Sequence, residues 1–270
     1  MSDTPAVLLT GASRGIGAAT ALEFARRGHD LVLVATDAAA LQNVAREVER
    51  FGRSALVLAG DLADLAFVGR LVPATIERFA RLDVLVNNAA WREAVTMRQI
   101  SLESWERTLR ICLTTPALLA RDAAAHMEQR GRGVIINVSS IMSRHPSGSA
   151  AAYVAAKGGI DALSYELAAL YGPGGIRVIS FSPGAIDTEM SARYSESADD
   201  GANRQLRQFS EDMIPLRRWG SSEETARTIA WLASDDASYI TGTTIVADGG
   251  WSRQLHPYSL KQRMHPGQFK

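Results

Sequence analysis

Cysteine is nearly absent from this chain: Cys112 stands alone among 270 residues. An internal disulfide is therefore excluded, and a cysteine-based metal site has no second ligand of its kind. No apolar run approaches the ~20 residues that a membrane-spanning helix needs. The N-terminus also lacks the charged-then-apolar layout of a secretion signal, so a reducing, cytoplasmic setting is expected. Charge imbalance is missing too. The 29 lysines and arginines match 29 aspartates and glutamates, and no basic cluster exceeds a pair of arginines. Nucleic acid and anionic membrane are accordingly not expected partners. No low-complexity linker or short-period repeat divides the chain, and its length and 46% hydrophobic content suit a single domain with one large core.

Lysine is the other scarcity. Among the 29 basic residues only Lys157, Lys261 and Lys270 are lysines, so Lys157 is the sole one before the tail. Where arginine meets every other need for positive charge, a single lysine marks a place for a compact ammonium rather than a planar fork. It lies four residues after Tyr153 in an alanine-rich stretch, Ser149 to Lys157. In a helix that spacing stacks phenol and ammonium on one face, and a cation beside a phenol favours the phenolate, a group suited to acid–base chemistry. A solvated Tyr/Lys pair on a helix surface accounts for the same spacing, and the rest of the chain has to decide between the two.

Read in order, the chain alternates strands and helices. The apolar run Ala6 to Thr10 ends in Gly11-Ala12-Ser13-Arg14-Gly15-Ile16-Gly17, and a helix follows from Ala18 to Arg27. Strands are expected at Leu31 to Ala35, Ala55 to Ala59, Val84 to Asn87, Val134 to Val138, Arg177 to Phe181 and Thr244 to Ala247. The intervening helices are Leu41 to Phe51, Phe67 to Ala80, Leu102 to about Gln129, the Tyr153 segment as far as Gly172, and Glu223 to Ala233. Seven such strands, apolar on both faces, imply a doubly wound α/β fold: a parallel seven-stranded sheet with helices on both faces, Rossmann-type. The stretch up to Gly220 reads as irregular, with polar Ser191 to Ser210 as the best candidate for a mobile segment. The expected organisation is a dinucleotide-binding and catalytic domain over 1–251, with a substrate loop around 185–220, and a C-terminal tail over 252–270. That tail could fold over the site, reach a neighbouring subunit or fray.

Gly11, Gly15 and Gly17 lie between the first strand and the first helix. There, backbone can approach a ligand without Cβ obstruction while the helix N-terminus faces it, a setting that suits a pyrophosphate. At this point the sequence resembles the short-chain dehydrogenase/reductase family, in its compact single-domain form, over almost its whole length. Thr10 to Gly17 resembles the dinucleotide turn, Asp61-Leu62 the adenine contact, and Asn87-Asn88-Ala89-Ala90 the Asn-Asn-Ala-Gly motif with Ala90 in place of glycine. Ser140, Tyr153 and Lys157 match the catalytic residues, with thirteen residues from serine to tyrosine. Pro183-Gly184 and Thr188 match the nicotinamide-side loop, and Asp248-Gly249-Gly250 the closing motif.

The resemblance implies an NAD(P)-dependent oxidoreductase acting on a ketone or secondary alcohol, with sugars, hydroxy acids and 3-oxoacyl groups all open as substrates, and a homodimer or homotetramer. In the implied mechanism Ser140 hydrogen-bonds the substrate oxygen and Tyr153 exchanges a proton with it. Lys157 supports Tyr153 and holds the nicotinamide ribose. Ser139 is the rival for the Ser140 role, on the opposite face of the strand. The cofactor would meet Gly11, Ser13, Arg14, Gly15, Ile16, Gly17, Asp61, Leu62, Asn88, Pro183, Gly184 and Thr188.

Its phosphate form is set at the end of the second strand, where Ala35 and Thr36 take the usual acid and arginine positions. Arg14 and Thr36 could meet a 2′-phosphate, whereas Asp37 could reach the ribose; with no acid in the usual place, NADP(H) is favoured. Cys112 falls where the family has an asparagine whose backbone helps bind a water behind Lys157. Pro116, four residues on, has no N–H for the Cys112 carbonyl and so leaves that carbonyl free for the same role.

Trp91 and Arg92 follow the carboxyl end of the fourth strand, where such sheets bind ligands. They are expected to line the substrate site with Met142, His145, Ile186, Met190 and Tyr194. Arg92 could meet a substrate carboxylate or pair with Glu93. No two of the five histidines have metal-ligand spacing backed by acids, and no catalytic metal is expected. Two other classes fit less well: an epimerase or dehydratase, and a cofactor-binding sensor or scaffold without turnover.

Overall fold

The computed structural model describes residues 4–188, 191 and 200–269. Strands β1 (Ala6–Thr10), β2 (Asp30–Ala35), β3 (Ala55–Ala59), β4 (Val84–Asn87), β5 (Gly133–Val138), β6 (Ile176–Pro183) and β7 (Thr243–Ala247) form one parallel sheet in the order β3-β2-β1-β4-β5-β6-β7. The expected fold class and all seven expected strands are there. The chain begins at β1, builds outward through β2 and β3, then returns to lay β4 on the other side of β1. That reversal parts the loops after β1 and β4 and opens a crevice at their carboxyl ends.

Strand side chains alternate between the two faces, and both are buried, which explains apolar runs without polar alternation. Leu8, Val32, Leu85, Ile135 and Val178 pack on one face against helices α3 (Leu65–Phe79), α5 (Thr115–Glu128) and α6 (Ala151–Tyr171). Their neighbours Leu9, Leu33, Val86, Ile136 and Ile179 pack on the other, against α1 (Gly15–Arg26), α2 (Ala38–Arg50) and the Ser222–Ala233 helix. Each fully buried leucine contributes about 1.5–3 kcal/mol, so the sheet is a rigid platform for the loops at its carboxyl edge.

Two expectations need correction. The helix foreseen from Leu102 to about Gln129 is broken: α4 (Leu102–Leu109) passes into a π turn, Arg110–Thr114, before α5. The stretch up to Gly220, read as irregular, contains a helix, Asp200–Met213. Its polar composition hid a narrow apolar stripe, Leu206, Phe209 and Met213, at helical spacing. The tail, for which folding and fraying both stood open, carries a helix, Tyr258–Met264. Among the described residues no helix is long and apolar enough to cross a membrane.

Candidate active site

Two cavities meet at the carboxyl edge of the sheet. The inner one, about 320 Å³, runs along the glycine loop. Gly17 sits so close to the strand-end backbone that a Cβ there would lie 2.0 Å from the Gly11 carbonyl oxygen. Gly11 itself has φ +67°, and its Cβ would meet Ala89 at 2.8 Å. The loop after β4 is laced to this turn through Asn88, whose Nδ2 donates to the Thr10 and Gly11 carbonyls at 2.9 and 3.2 Å. Thr10 Oγ1 in turn accepts from the N–H groups of Asn88 and Ala89 at 3.0 and 3.1 Å. The sequence thereby holds open a backbone-lined slot in front of the N-terminus of α1, whose dipole and amides favour an anion.

Of the residues expected around a cofactor, Gly11, Ser13, Arg14, Gly15, Ile16, Gly17, Thr36, Asp61, Leu62, Asn88, Lys157, Pro183 and Thr188 line this cleft. Gly184 lines the outer cavity instead. Asp37 lines neither: its Oδ1 accepts from the Ala40 N–H at 3.0 Å and caps α2. Between strand and helix, an aspartate is drawn to the unsatisfied first-turn amides, which competes with any role towards a ribose. At the far end, Asp61 accepts from the Ala63 N–H at 2.9 Å and from Arg107 at 2.8 Å. Burial pushes the Asp61 carboxyl up, but these two partners outweigh it and hold it below its ordinary value. Arg107 also covers the ring of Trp91 at 5.6 Å. Arg107 went unnoticed in the sequence because α4 shows there only as a charged helix face, and the pair with Asp61 spans 46 residues.

The outer cavity is larger, about 910 Å³. Ser140, Arg92, Met142, His145 and Ile186 line it as expected, whereas Trp91 belongs to the inner cleft. Met190 and Tyr194 lie outside the described residues. Sequence reasoning missed most of its apolar wall: Leu206, Phe209 and Met213 from the Asp200–Met213 helix, together with Trp219 and Trp251. The tail fixes that wall. Ser259 donates through its N–H and Oγ to Asp212 at 2.9 and 2.6 Å, and Arg217 donates to the same carboxylate at 2.8 Å while lying over the Tyr258 ring.

Tyr153 lines both cavities. One helical turn on, Lys157 is 2% exposed, with Nζ 5.5 Å from the Tyr153 ring centroid and donating to the Val138 carbonyl at 2.5 Å. The two serines divide as their strand positions require. Ser139 Oγ donates to the Lys157 carbonyl at 3.2 Å and so ties α6 to β5, while Ser140 Oγ accepts from the Met142 N–H at 3.2 Å at the edge of the outer cavity. Asp161, buried one turn beyond Lys157, accepts from Ser143 at 2.8 Å and from Ser180 at 2.5 Å. It anchors the turn that carries Ser140, and its position inside an apolar helix face was a signal left unread.

Cys112 sits in the π turn, where Thr115 N–H bonds to the Arg110 carbonyl five residues back. Its thiol lines neither cavity; Sγ lies 3.4 Å from both the N and the O of Trp91. Among the described residues no three His, Cys, Asp or Glu side chains converge as a metal site would require.

Comparison with known proteins agrees with this geometry. A family described as enoyl-(acyl carrier protein) reductase matches residues 11–252. The 3beta-hydroxysteroid dehydrogenase 1 of Eggerthella lenta is 35% identical over 253 residues, covering 93% of this chain and 94% of its own. The cis-4-hydroxycyclohexanecarboxylate dehydrogenase of Sinomonas cyclohexanicum is 37% identical over 246 residues, covering 91% and 95%. Among solved structures, a short-chain type dehydrogenase/reductase from Mycobacterium marinum superposes with a TM-score of 0.83 at 32% identity, covering 92% of this chain and 96% of its own. With the parallel sheet, the glycine cleft and the Tyr153–Lys157 pair at the meeting of two cavities, these matches show that the chain is an oxidoreductase of the short-chain dehydrogenase/reductase family.

Proposed function

We propose that the protein interconverts a ketone and a secondary alcohol with a nicotinamide dinucleotide, Tyr153 serving as acid or base. The observation that carries this reading is the place of Tyr153 in the wall shared by the glycine cleft and the outer cavity, with the Lys157 ammonium beside it. A proton donor at that junction is within reach of both a cofactor in the cleft and a substrate in the cavity. The cleft fits a dinucleotide, because its glycines leave the space that a Cβ would fill at the end of a helix. Ser13, Arg14 and Ile16 would hold phosphates, Asp61 and Leu62 the adenine end, and Asn88, Pro183, Gly184 and Thr188 the nicotinamide end. When bound, the cofactor supplies or accepts hydride. In the reductive direction the Ser140 hydroxyl donates to the carbonyl oxygen, and the Tyr153 hydroxyl gives it the proton that completes the alcohol. In oxidation the same phenol oxygen takes that proton back. Lys157 keeps a fixed cation behind the phenol and would hold the nicotinamide ribose.

NADP(H) is the favoured form. The cleft wall at the end of β2 is Ala35 and Thr36 with Arg14, while the carboxylate of Asp37 is committed to capping α2. An arginine and a hydroxyl suit a 2′-phosphate, whereas ribose hydroxyls call for an acid. Across a panel of cyclic and open-chain ketones, kcat/KM is expected to favour NADPH over NADH by about tenfold or more. A tenfold preference for NADH contradicts this assignment. Relatives named for a hydroxysteroid and for a hydroxycyclohexanecarboxylate put ring-bearing secondary alcohols first among the substrates to try.

The backbone at Cys112 is part of the proposal. The π turn and the proline at Pro116 depart from the regular helical ladder around Cys112. The Cys112 carbonyl would link Lys157 to solvent through a bound water. Pro116→Ala, which restores an N–H partner for it, is expected to slow turnover and shift its pH dependence. Unchanged rates across about pH 6–10 refute the assignment.

A further inference from the structure

We propose that the C-terminal tail is part of the substrate site: the Asp212 carboxylate joins it to the helix that walls the outer cavity, and the tail thereby sets the affinity for ketones long enough to reach that wall. This inference rests on the reading that places the substrate in the outer cavity, and it adds what decides how large a substrate is held. An acid in the last turn of a helix opposes the macrodipole, so Asp212 does not serve the Asp200–Met213 helix itself. Its partners explain its place. Its two carboxylate oxygens accept from the Ser259 N–H and Oγ at 2.9 and 2.6 Å. Ser259 stands in the first turn of the Tyr258–Met264 helix, where Pro257 supplies no side-chain cap. Asp212 thus satisfies, from another element, an amide that the tail leaves open.

Further contacts make this a seam rather than a single pair. Arg217 has φ +59°, a left-handed conformation that a side chain of its size keeps only when its surroundings hold it. In that conformation its Nη1 donates to the Glu211 carbonyl at 2.9 Å and to Asp212 at 2.8 Å, and its guanidinium carbon lies 4.3 Å from the Tyr258 ring centroid. Ser252 and Gln254 bring the tail into the cavity lining directly, and Lys261 Nζ holds Gln254 by donating to its Oε1 at 2.8 Å. At the head of the tail, Gly249 and Gly250 press against the residues that follow the helix: a Cβ on them would lie 2.7 Å from Ile214 and 2.8 Å from Pro215. The same helical turn that carries Asp212 carries Phe209 and Met213, which line the cavity with Trp219 and Trp251. A shift of Asp212 therefore shifts the apolar wall. The helix has other ties to the body, since Trp219 Nε1 donates to Ser210 Oγ at 2.7 Å and Arg207 pairs with Asp187 at 3.2 Å. Opening the seam thus loosens the wall without releasing the helix.

The test uses the full chain with NADPH and a series that keeps the reacting group constant: cyclohexanone, 4-propylcyclohexanone and 4-phenylcyclohexanone. In the unaltered protein kcat/KM is expected to rise along the series as the substituent reaches the apolar wall. Asp212→Asn and Ser259→Ala are each expected to raise KM for 4-phenylcyclohexanone about fivefold to tenfold, to change that for cyclohexanone less than about twofold, and to leave NADPH affinity unaltered. Ser259→Thr, which keeps the hydroxyl, is expected to restore most of the loss. A merely structural role would weaken NADPH binding and the turnover of all three ketones alike. As a check that uses no variant, 4-phenylcyclohexanol added to the NADPH complex is expected to slow amide hydrogen exchange in both the Asp200–Met213 and the Tyr258–Met264 helices. An unchanged KM for the phenyl ketone, equal KM changes across the series, or slowed exchange that does not extend to the tail helix overturns the assignment while leaving the oxidoreductase reading intact. No turnover of any ketone in the series overturns both.

Discussion

Gly17→Ala is expected to weaken cofactor binding by about tenfold to a hundredfold while leaving most of the sheet formed. The alanine Cβ would lie 2.0 Å from the Gly11 carbonyl oxygen and 2.8 Å from Asn88 Nδ2, distances at which backbone must move. The Gly11 carbonyl is itself an acceptor for Asn88, so pushing it aside disturbs the loops after both β1 and β4. Overpacking of this kind costs about 1–3 kcal/mol, which at the loop corresponds to roughly tenfold to a hundredfold in affinity. Isothermal titration with NADPH measures it directly. Gly69→Ala in α3 is the matched control. It has open space around its Cβ, and losing backbone freedom in the unfolded chain should stabilise the helix by about 0.5–1 kcal/mol. Equal NADPH affinity in the two variants would mean that the glycine cleft is not the dinucleotide site.

Much of this arrangement was legible in the sequence because it is local. Apolar runs such as Leu31 to Ala35 declare strands buried on both faces, the Gly11–Gly17 turn declares a close approach, and Tyr153 and Lys157 declare a shared helix face. What the sequence hid is carried by long-range partners. Asp37 looks like a ribose ligand until α2 is seen to begin at Ala38 and claim its carboxylate. Trp91 and Arg92 are neighbours in sequence but enter different cavities, since an extended segment points successive side chains apart. The outer wall was the least legible part. Its helix, Asp200–Met213, has only three apolar residues on one stripe, and the contacts that fix it come from Ser259 in the tail, 47 residues away. The break at Arg110–Thr114 was half foreseen: Pro116 predicts a disturbed ladder at Cys112 but not a π turn.

Tyr153→Phe is expected to cause the largest loss of activity of any substitution in this chain that keeps the fold. The change removes one hydroxyl and leaves the ring in the wall between the two cavities, where it packs against the core beneath it. Cofactor affinity should be retained, because most of the cleft is lined by residues other than Tyr153, from the loops after β1, β2, β3, β4 and β6. Proton transfer should not be retained. A positioned general acid contributes about 10²–10⁴-fold to such a step, and Lys157, buried beside the ring, donates to the Val138 carbonyl.

The phenol of Tyr153, at the meeting of the two cavities, is assigned the acid–base work. The most direct measurement pairs NADPH binding with NADPH oxidation, followed by cofactor absorbance across the ketone panel, for the unaltered protein and Tyr153→Phe side by side. Equal binding by both is expected, with turnover by the unaltered protein and a fall in kcat of about 10²–10⁴-fold in the variant. Turnover that survives in Tyr153→Phe, or an unaltered protein that binds NADPH and oxidises it with no ketone on the panel, would contradict that assignment.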